Sequence, residues 1–277
     1  MSKKAASVKK IVRESYGKIA QTGGSCCSTS CCGSGGPAAE NISKTIGYSE
    51  EEIGIVPEGA NLGLGCGNPA AVALLQKGET VLDLGSGAGF DVFLAAGKVG
   101  PGGRVIGIDM TPEMIKRARA NAQKGKYTNV EFRLGEIEKL PVDGNSVDVI
   151  ISNCVINLSA DKQKVFQEAF RVLKPGGRLM VSDLVLTKAL PKIIQESVEA
   201  CVGCLAGASM KKDYLRFIEQ AGFENVKIAG ETNYPVEAMA NDLTAQTIMN
   251  QKGITAQDIQ EIENTAASIK VSALKST

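Results

Sequence analysis

The residues able to do chemistry fall into two sets. One is a glycine-rich turn after a short apolar stretch; the other is eight cysteines in a 277-residue chain that has no histidine. The turn lies within Val81 to Asp91, VLDLGSGAGFD, where Gly85, Gly87 and Gly89 alternate with Ser86 and Ala88. An apolar strand that breaks into such a turn and then a helix leaves backbone N–H groups and bare Cα atoms facing a ligand. A nucleoside-bearing cofactor is the expected occupant. Without histidine, imidazole-based general-base or metal chemistry is excluded, and the cysteines become the only strong soft ligands. They stand at Cys26, Cys27, Cys31 and Cys32, then singly at Cys66 and Cys154, then at Cys201 and Cys204.

The elements that must position these residues follow an α/β alternation. Strand 81–84 leads to a helix over 89–98, strand 104–109 to a helix over 112–125, then strand 130–133. Strand 147–152, a helix over 160–172 and strand 178–183 complete a Rossmann-like parallel sheet. Asp109 ends the second strand 20 residues beyond Gly89, where a doubly wound fold places an acid for ribose hydroxyls. It is also a possible helix cap, because Thr111-Pro112-Glu113 reads as a helix start. The fourth strand is expected beside the first, at the switch point where ligands enter, which would set Cys154 close to the cofactor. Beyond it come helices over 191–207 and 211–221, a strand over 224–229, mostly helix over 235–265, and a closing antiparallel strand over 268–274. The expected organisation is an N-terminal helix and Cys-rich flexible segment (1–60), a cofactor-binding domain (61–185) and a C-terminal lid region with the closing strand (186–277).

Val8 to Ala20 has apolar positions on one helical face. Gly23 to Pro37, GGSCCSTSCCGSGGP, cannot bury enough to fold alone, and its two vicinal thiol pairs are either a grip for a thiophilic ion or incidental. Asn61 to Pro69, NLGLGCGNP, holds Cys66 between glycines that keep it unhindered. Cys201 and Cys204 share a helix face, but no second pair at zinc-site spacing follows them. A net charge of +1 without a basic block argues against a nucleic-acid partner. Neither a run of about 18 apolar residues nor a signal-peptide pattern opens the chain, so a cytoplasmic protein off the membrane, with reduced thiols, is expected.

The glycine spacing G-x-G-x-G after Asp83 resembles that of class I S-adenosylmethionine-dependent methyltransferases. With LGCGNP, SNCVINL and GCLAGA beside it, the chain resembles the arsenite methyltransferases from about Asn61 onward. The resemblance implies S-adenosylmethionine held by Asp83, Gly85, Ser86, Gly87, Gly89 and Asp109. Met110, Glu136, Ile137 and Asn153 would join them, with Glu136 and Ile137 flanking the adenine. It also implies trivalent arsenic on Cys66, Cys154 and Cys204. The extra Cys201 leaves the third ligand open, and the doubled CCSTSCC leaves open which pair answers to the family's N-terminal thiols. Trivalent arsenic is soft, and three thiolates leave its lone pair free to take a methyl group by in-line displacement without a general base. A thiol reductant such as thioredoxin or glutathione would restore the cysteines. Three rivals stand beside this reading: a quinone-type C-methyltransferase on the same fold, a non-catalytic metalloid-binding protein, and a zinc or redox protein using the C-x-x-C of Cys201 and Cys204, which leaves the glycine turn unexplained.

Overall fold

A computed structural model of the chain describes residues 3–22, 37–69, 74–189, 207–233 and 265–277. Three helices come first: α1 (Lys3–Thr22), α2 (Pro37–Thr45) and α3 (Glu50–Ile55). The alternating part is β1 (Thr80–Leu84), α4 (Phe90–Val99), β2 (Arg104–Asp109), α5 (Pro112–Lys124), β3 (Val130–Leu134) and β4 (Val147–Asn153). A 3-10 turn (Ile156–Leu158), α6 (Lys162–Val172) and β5 (Leu173–Leu186) follow. The chain then supplies β6 (Ser209–Met210), α7 (Lys211–Gln220), β7 (Glu224–Asn233) and β8 (Ala266–Leu274).

The strands form one eight-stranded sheet in the order β3-β2-β1-β4-β5-β8-β7, with β6 on β5. The first five in that order are parallel; β8 runs antiparallel to β5 from Arg178↔Leu274 to Leu186↔Ala266. Strand four does lie beside strand one, and the order reverses between β1 and β4, which sets the switch point at their carboxyl ends. The central strands β1, β2, β4 and the second half of β5 are nearly continuous apolar runs because both faces are covered, whereas the edge strand β7 is largely exposed. On one face Val81, Val105, Val149 and Ile151 pack with Val92 and Phe93 of α4 and Ile115 and Ala118 of α5. On the other, Leu82, Leu84, Ile106 and Ile150 pack with Val165 and Phe166 of α6 and Tyr214 and Ile218 of α7. Alternate residues of one strand thus feed two separate cores, as the period of two requires.

The N-terminal helix is longer than its apolar stripe suggests, and it is docked. Tyr16, Ile19 and Ala20 pack with Leu62, Ala88 and Met114, and Arg117 Nη1 donates to Ala20 O at 2.9 Å. The helix therefore borders the glycine turn, since Ala88 belongs to it. Helices α2 and α3 have no counterpart in the sequence reading, although Ser49 and Glu52 form a capping box at the start of α3. Strand β5 begins earlier than expected, at Leu173, and runs through the LKPGGRL stretch. The Cys-rich 23–36 and the expected helices over 191–207 and 235–265 lie outside or almost wholly outside the described residues. Among the described residues, no helix is long and apolar enough to cross a membrane.

Candidate functional site

The glycine turn is pinned to the end of β2. Gly85 N and Ser86 N both donate to Ile108 O, at 2.8 and 2.9 Å. Gly87 N donates to Asp109 Oδ2 at 3.0 Å and Thr111 N to Asp109 Oδ1 at 2.8 Å. Asp109 thus holds both the turn and the start of α5, where Thr111 is the N-cap residue but its side chain makes no capping bond. Gly85 has φ +73°, and a Cβ there would overlap Val155, so only glycine allows β1 and β4 to close at this point. A Cβ on Gly87 would instead meet open space. Ser86 Oγ is buried with no hydrogen-bond partner among the described residues. An open cradle beside an unpaired hydroxyl fits a bound cofactor.

Three acids crowd this turn. Burial holds Asp83 well above the usual carboxylate range, with Asp91 and Asp109 adding repulsion. Asp91, in the first turn of α4, is pushed up to about 6 by burial, against hydrogen bonds from Tyr48 and Asn153 that favour its charge. Burial also raises Asp109, opposed by the N–H groups of Thr111 and Gly87. A cationic ligand here would favour the ionised forms of all three. Of the other expected cofactor residues, Met110 follows Asp109, and Ile137 packs against the larger core. Glu136 bonds Lys9 of α1 at 2.9 Å, which ties that helix over the same edge.

Cys66 and Cys154, 88 residues apart, meet at the carboxyl ends of β4 and β5, and their sulfurs are joined as a disulfide with Cα atoms 5.8 Å apart. This corrects the expectation of reduced thiols for these two. The fold holds their Cα atoms within bridging range, which lets the two sulfurs bond to each other. Cys154 sits just past β4 with φ +56°, a left-handed backbone that a non-glycine residue adopts only when its surroundings impose it. Its N–H donates to Ser182 O at 2.8 Å, while Cys66 Sγ lies 3.7 Å from the same carbonyl.

The glycines around Cys66 do a different job from the one expected. They do not leave the thiol unhindered, since Cys66 is 5% exposed. A Cβ on Gly67 would overlap Ser182 Oγ, so the glycine lets the turn press onto β5. Ser268 Oγ of β8 donates to Cys66 O at 2.6 Å. Asn153 supplies the rest of the grip: its Oδ1 accepts from Cys66 N at 3.0 Å, and its Nδ2 donates to Gly67 O at 2.7 Å and Tyr48 Oη at 2.9 Å. Tyr48 in turn donates to Asp91 Oδ1 at 2.6 Å. Asn153, expected to touch cofactor, thus also grips the cysteine turn, and it links that turn to the helix that follows the glycines.

A residue absent from the sequence reading completes the cluster. A carboxylate oxygen of Asp183 and the sulfurs of Cys66 and Cys154 all lie within 4.8 Å of one another. Asp183 is buried on β5, and burial pushes it up to about 7 despite hydrogen bonds from Leu184 N and Tyr214 Oη. The available signal was an acid inside the apolar run LMVSDLVL, since a charge there needs a reason. Cys26, Cys27, Cys31, Cys32, Cys201 and Cys204 lie outside the described residues.

Comparison with known proteins gives this arrangement a family. A family model described as a methyltransferase domain matches residues 75–222. An arsenite methyltransferase of Halobacterium salinarum is 51% identical over 228 residues, covering 80% of this chain and 58% of the relative. One from Aquipseudomonas alcaligenes is 38% identical over 226 residues, covering 78% and 62%. The chain thus spans about three-fifths of the length of these curated relatives. Among solved structures, an arsenic (III) S-adenosylmethionine methyltransferase from Chlamydomonas reinhardtii superposes with a TM-score of 0.61 at 30% identity, covering 87% of this chain and 74% of that one.

Proposed function

The chain belongs to the methyltransferase-domain family, and from that membership we propose that it transfers methyl groups from S-adenosylmethionine to trivalent arsenic. The observation that carries the reading is the meeting of Cys66 and Cys154 beside the glycine turn, with Val155, the next residue after Cys154, seated against Gly85. In this reading Gly85, Ser86, Gly87, Gly89 and Asp109 hold the cofactor, and Asp83 and Asp91 make its surroundings favourable to positive charge. Met110, Glu136 and Ile137 border it. When bound, S-adenosylmethionine supplies a methyl group activated by a sulfonium.

The chain's own work is to hold the substrate. Reduced Cys66 and Cys154 take two positions on arsenic, and Cys204, or Cys201 in its place, takes the third. The N-terminal cysteines capture arsenic or exchange thiols. Soft thiolates select a soft centre and leave its lone pair as the nucleophile, so no proton needs to be removed by a base. This agrees with a chain without histidine. The catalytic contribution is chiefly positioning, worth up to about 7–11 kcal/mol in well-oriented systems. Because Cys66 and Cys154 pair with each other, turnover requires a thiol reductant such as thioredoxin or glutathione, which suits a reducing cytoplasm. In this reading arsenic detoxification is the biological outcome.

The test is to incubate reduced protein with arsenite and S-adenosylmethionine and identify the arsenic species by mass spectrometry. Methylated arsenicals are expected. Stoichiometric arsenite binding without methylated product would reject the enzyme in favour of a metalloid-binding protein. Methyl transfer to a quinone ring but not to arsenite would assign the other branch of the fold.

A further inference from the structure

We propose that Asp183 accepts a hydrogen bond from the hydroxyl that arsenic keeps while only Cys66 and Cys154 hold it, before a third thiol displaces that hydroxyl, so that this capture step prefers arsenite to methylated arsenic. The assignment rests on the arsenic-binding reading of those two cysteines. It concerns a third residue and a different property, the choice between an As–OH and an As–CH3 group.

The geometry begins with β5. Ser182 O takes the Cys154 N–H and lies against Cys66 Sγ, which fixes both cysteines to this strand. The next residue, Asp183, is 1% exposed, and one of its carboxylate oxygens stands within 4.8 Å of both sulfurs. Its orientation is fixed from the other side. Asn157 Nδ2 donates to Oδ1 at 2.7 Å, Leu184 N donates to Oδ1 at 3.0 Å, and Tyr214 Oη donates to Oδ2 at 3.1 Å. A carboxylate offers about four lone-pair sites, so these three donors leave room for one more. Asn157 Oδ1 beside it is also buried without a partner among the described residues. The cluster is rich in acceptors and short of one donor, and buried acceptors call for a donor.

Two-thiolate arsenic has that donor. After a dithiol reduces the disulfide and is itself oxidised, As(OH)3 reacts with the two thiols. Two As–S bonds form and two As–O bonds break. Each departing hydroxide leaves as water with one thiol proton, and arsenic stays trivalent. The product, (Cys–S)2As–OH, keeps one hydroxyl. Methylarsonous acid, CH3As(OH)2, reacts in the same way but loses both hydroxyls, leaving a methyl group that cannot donate to Asp183. A hydrogen bond to a charged group in a buried site is worth about a factor of ten or more in affinity.

The experiment uses the whole 277-residue chain reduced with a phosphine, in which Cys26, Cys27, Cys31, Cys32, Cys201 and Cys204 are serine so that no other thiol displaces the hydroxyl. Arsenite and methylarsonous acid are titrated in turn, following the thiolate-to-arsenic absorbance, with Asp183 intact, with Asp183→Asn and with Tyr214→Phe. The readout is the ratio of the two affinities, which is unchanged by partial unfolding because both ligands sample the same folded fraction. Asp183→Asn is expected to weaken arsenite about tenfold while sparing methylarsonous acid. Tyr214→Phe, which loosens the carboxylate without emptying the core, should move the ratio the same way by less. Equal losses for both ligands, or no loss, would overturn the role of Asp183 alone. Failure of the protein with Asp183 intact to bind either arsenical would overturn the two-thiolate site and the assignment with it.

Discussion

Asn153→Ala should separate the cysteine turn from the glycine turn. The substitution removes the acceptor of Cys66 N–H and the donor to Gly67 O, and it breaks the path through Tyr48 to Asp91. Each lost hydrogen bond costs about 1 kcal/mol net, and more where a buried backbone group is left unpaired. A destabilisation of about 2–3 kcal/mol is expected in urea unfolding. The larger effect should fall on arsenic: with Cys66 no longer held in register with Cys154, kcat/KM for arsenite should drop about 100-fold, the scale of a misplacement near 1 Å. Cofactor affinity, read by titration calorimetry with S-adenosylmethionine, should change less than about threefold, since a factor of ten needs 1.4 kcal/mol of lost contact. A tenfold loss of cofactor affinity with arsenite binding intact would refute this reasoning and make Asn153 a cofactor ligand.

Three further outcomes follow from the same contacts. Cys154→Ser should abolish methyl transfer to arsenite while leaving S-adenosylmethionine bound; preserved transfer, measured with labelled methyl donor, would remove Cys154 from the site. Gly67→Ala places a methyl group on Ser182 Oγ and should cost about 1–3 kcal/mol in a denaturant titration, as overpacking does; shortening Ser182 as well, by Ser182→Gly, should return part of it. Asp183 lies near 7 in the folded protein and near 4 unfolded, so between about pH 4 and pH 7 only the folded form keeps its proton. Stability therefore falls as pH rises through that window, by up to about 4 kcal/mol, and levels off above it. Asp183→Asn should flatten this part of the urea-midpoint profile; an unchanged slope would place the burial cost elsewhere.

What could be read from the sequence divides along a physical line. VLDL, RVIGID and VDVIIS are continuous apolar runs because parallel strands are covered on both faces, and the fold follows from them. The glycine turn and Asp109 are local in sequence, and the structure brings them together through Gly87 N. The role of Asn153 could not be read in the same way. Its partners Cys66, Gly67 and Tyr48 are 86 to 105 residues away and reach it only when the segment before β1 folds over the end of β4. The register of β4 on β5, Asn153 opposite Ser182, carries Asp183 to the sulfurs, although an acid in LMVSDLVL was a visible anomaly. The Cys66–Cys154 bond could not be read from the chain, because composition speaks to redox compartment whereas bonding depends on how close the fold holds two sulfurs 88 residues apart.

The claim underlying all of this is that sulfur atoms from distant parts of the chain hold one arsenic atom beside the glycine turn. X-ray absorption at the arsenic edge, on reduced protein loaded with one equivalent of arsenite, counts the neighbours of that atom directly. Three sulfur neighbours and no oxygen are expected, with one sulfur replaced by oxygen in Cys154→Ser. An oxygen-dominated shell in the unaltered protein, or a sulfur shell indifferent to Cys154→Ser, would contradict it.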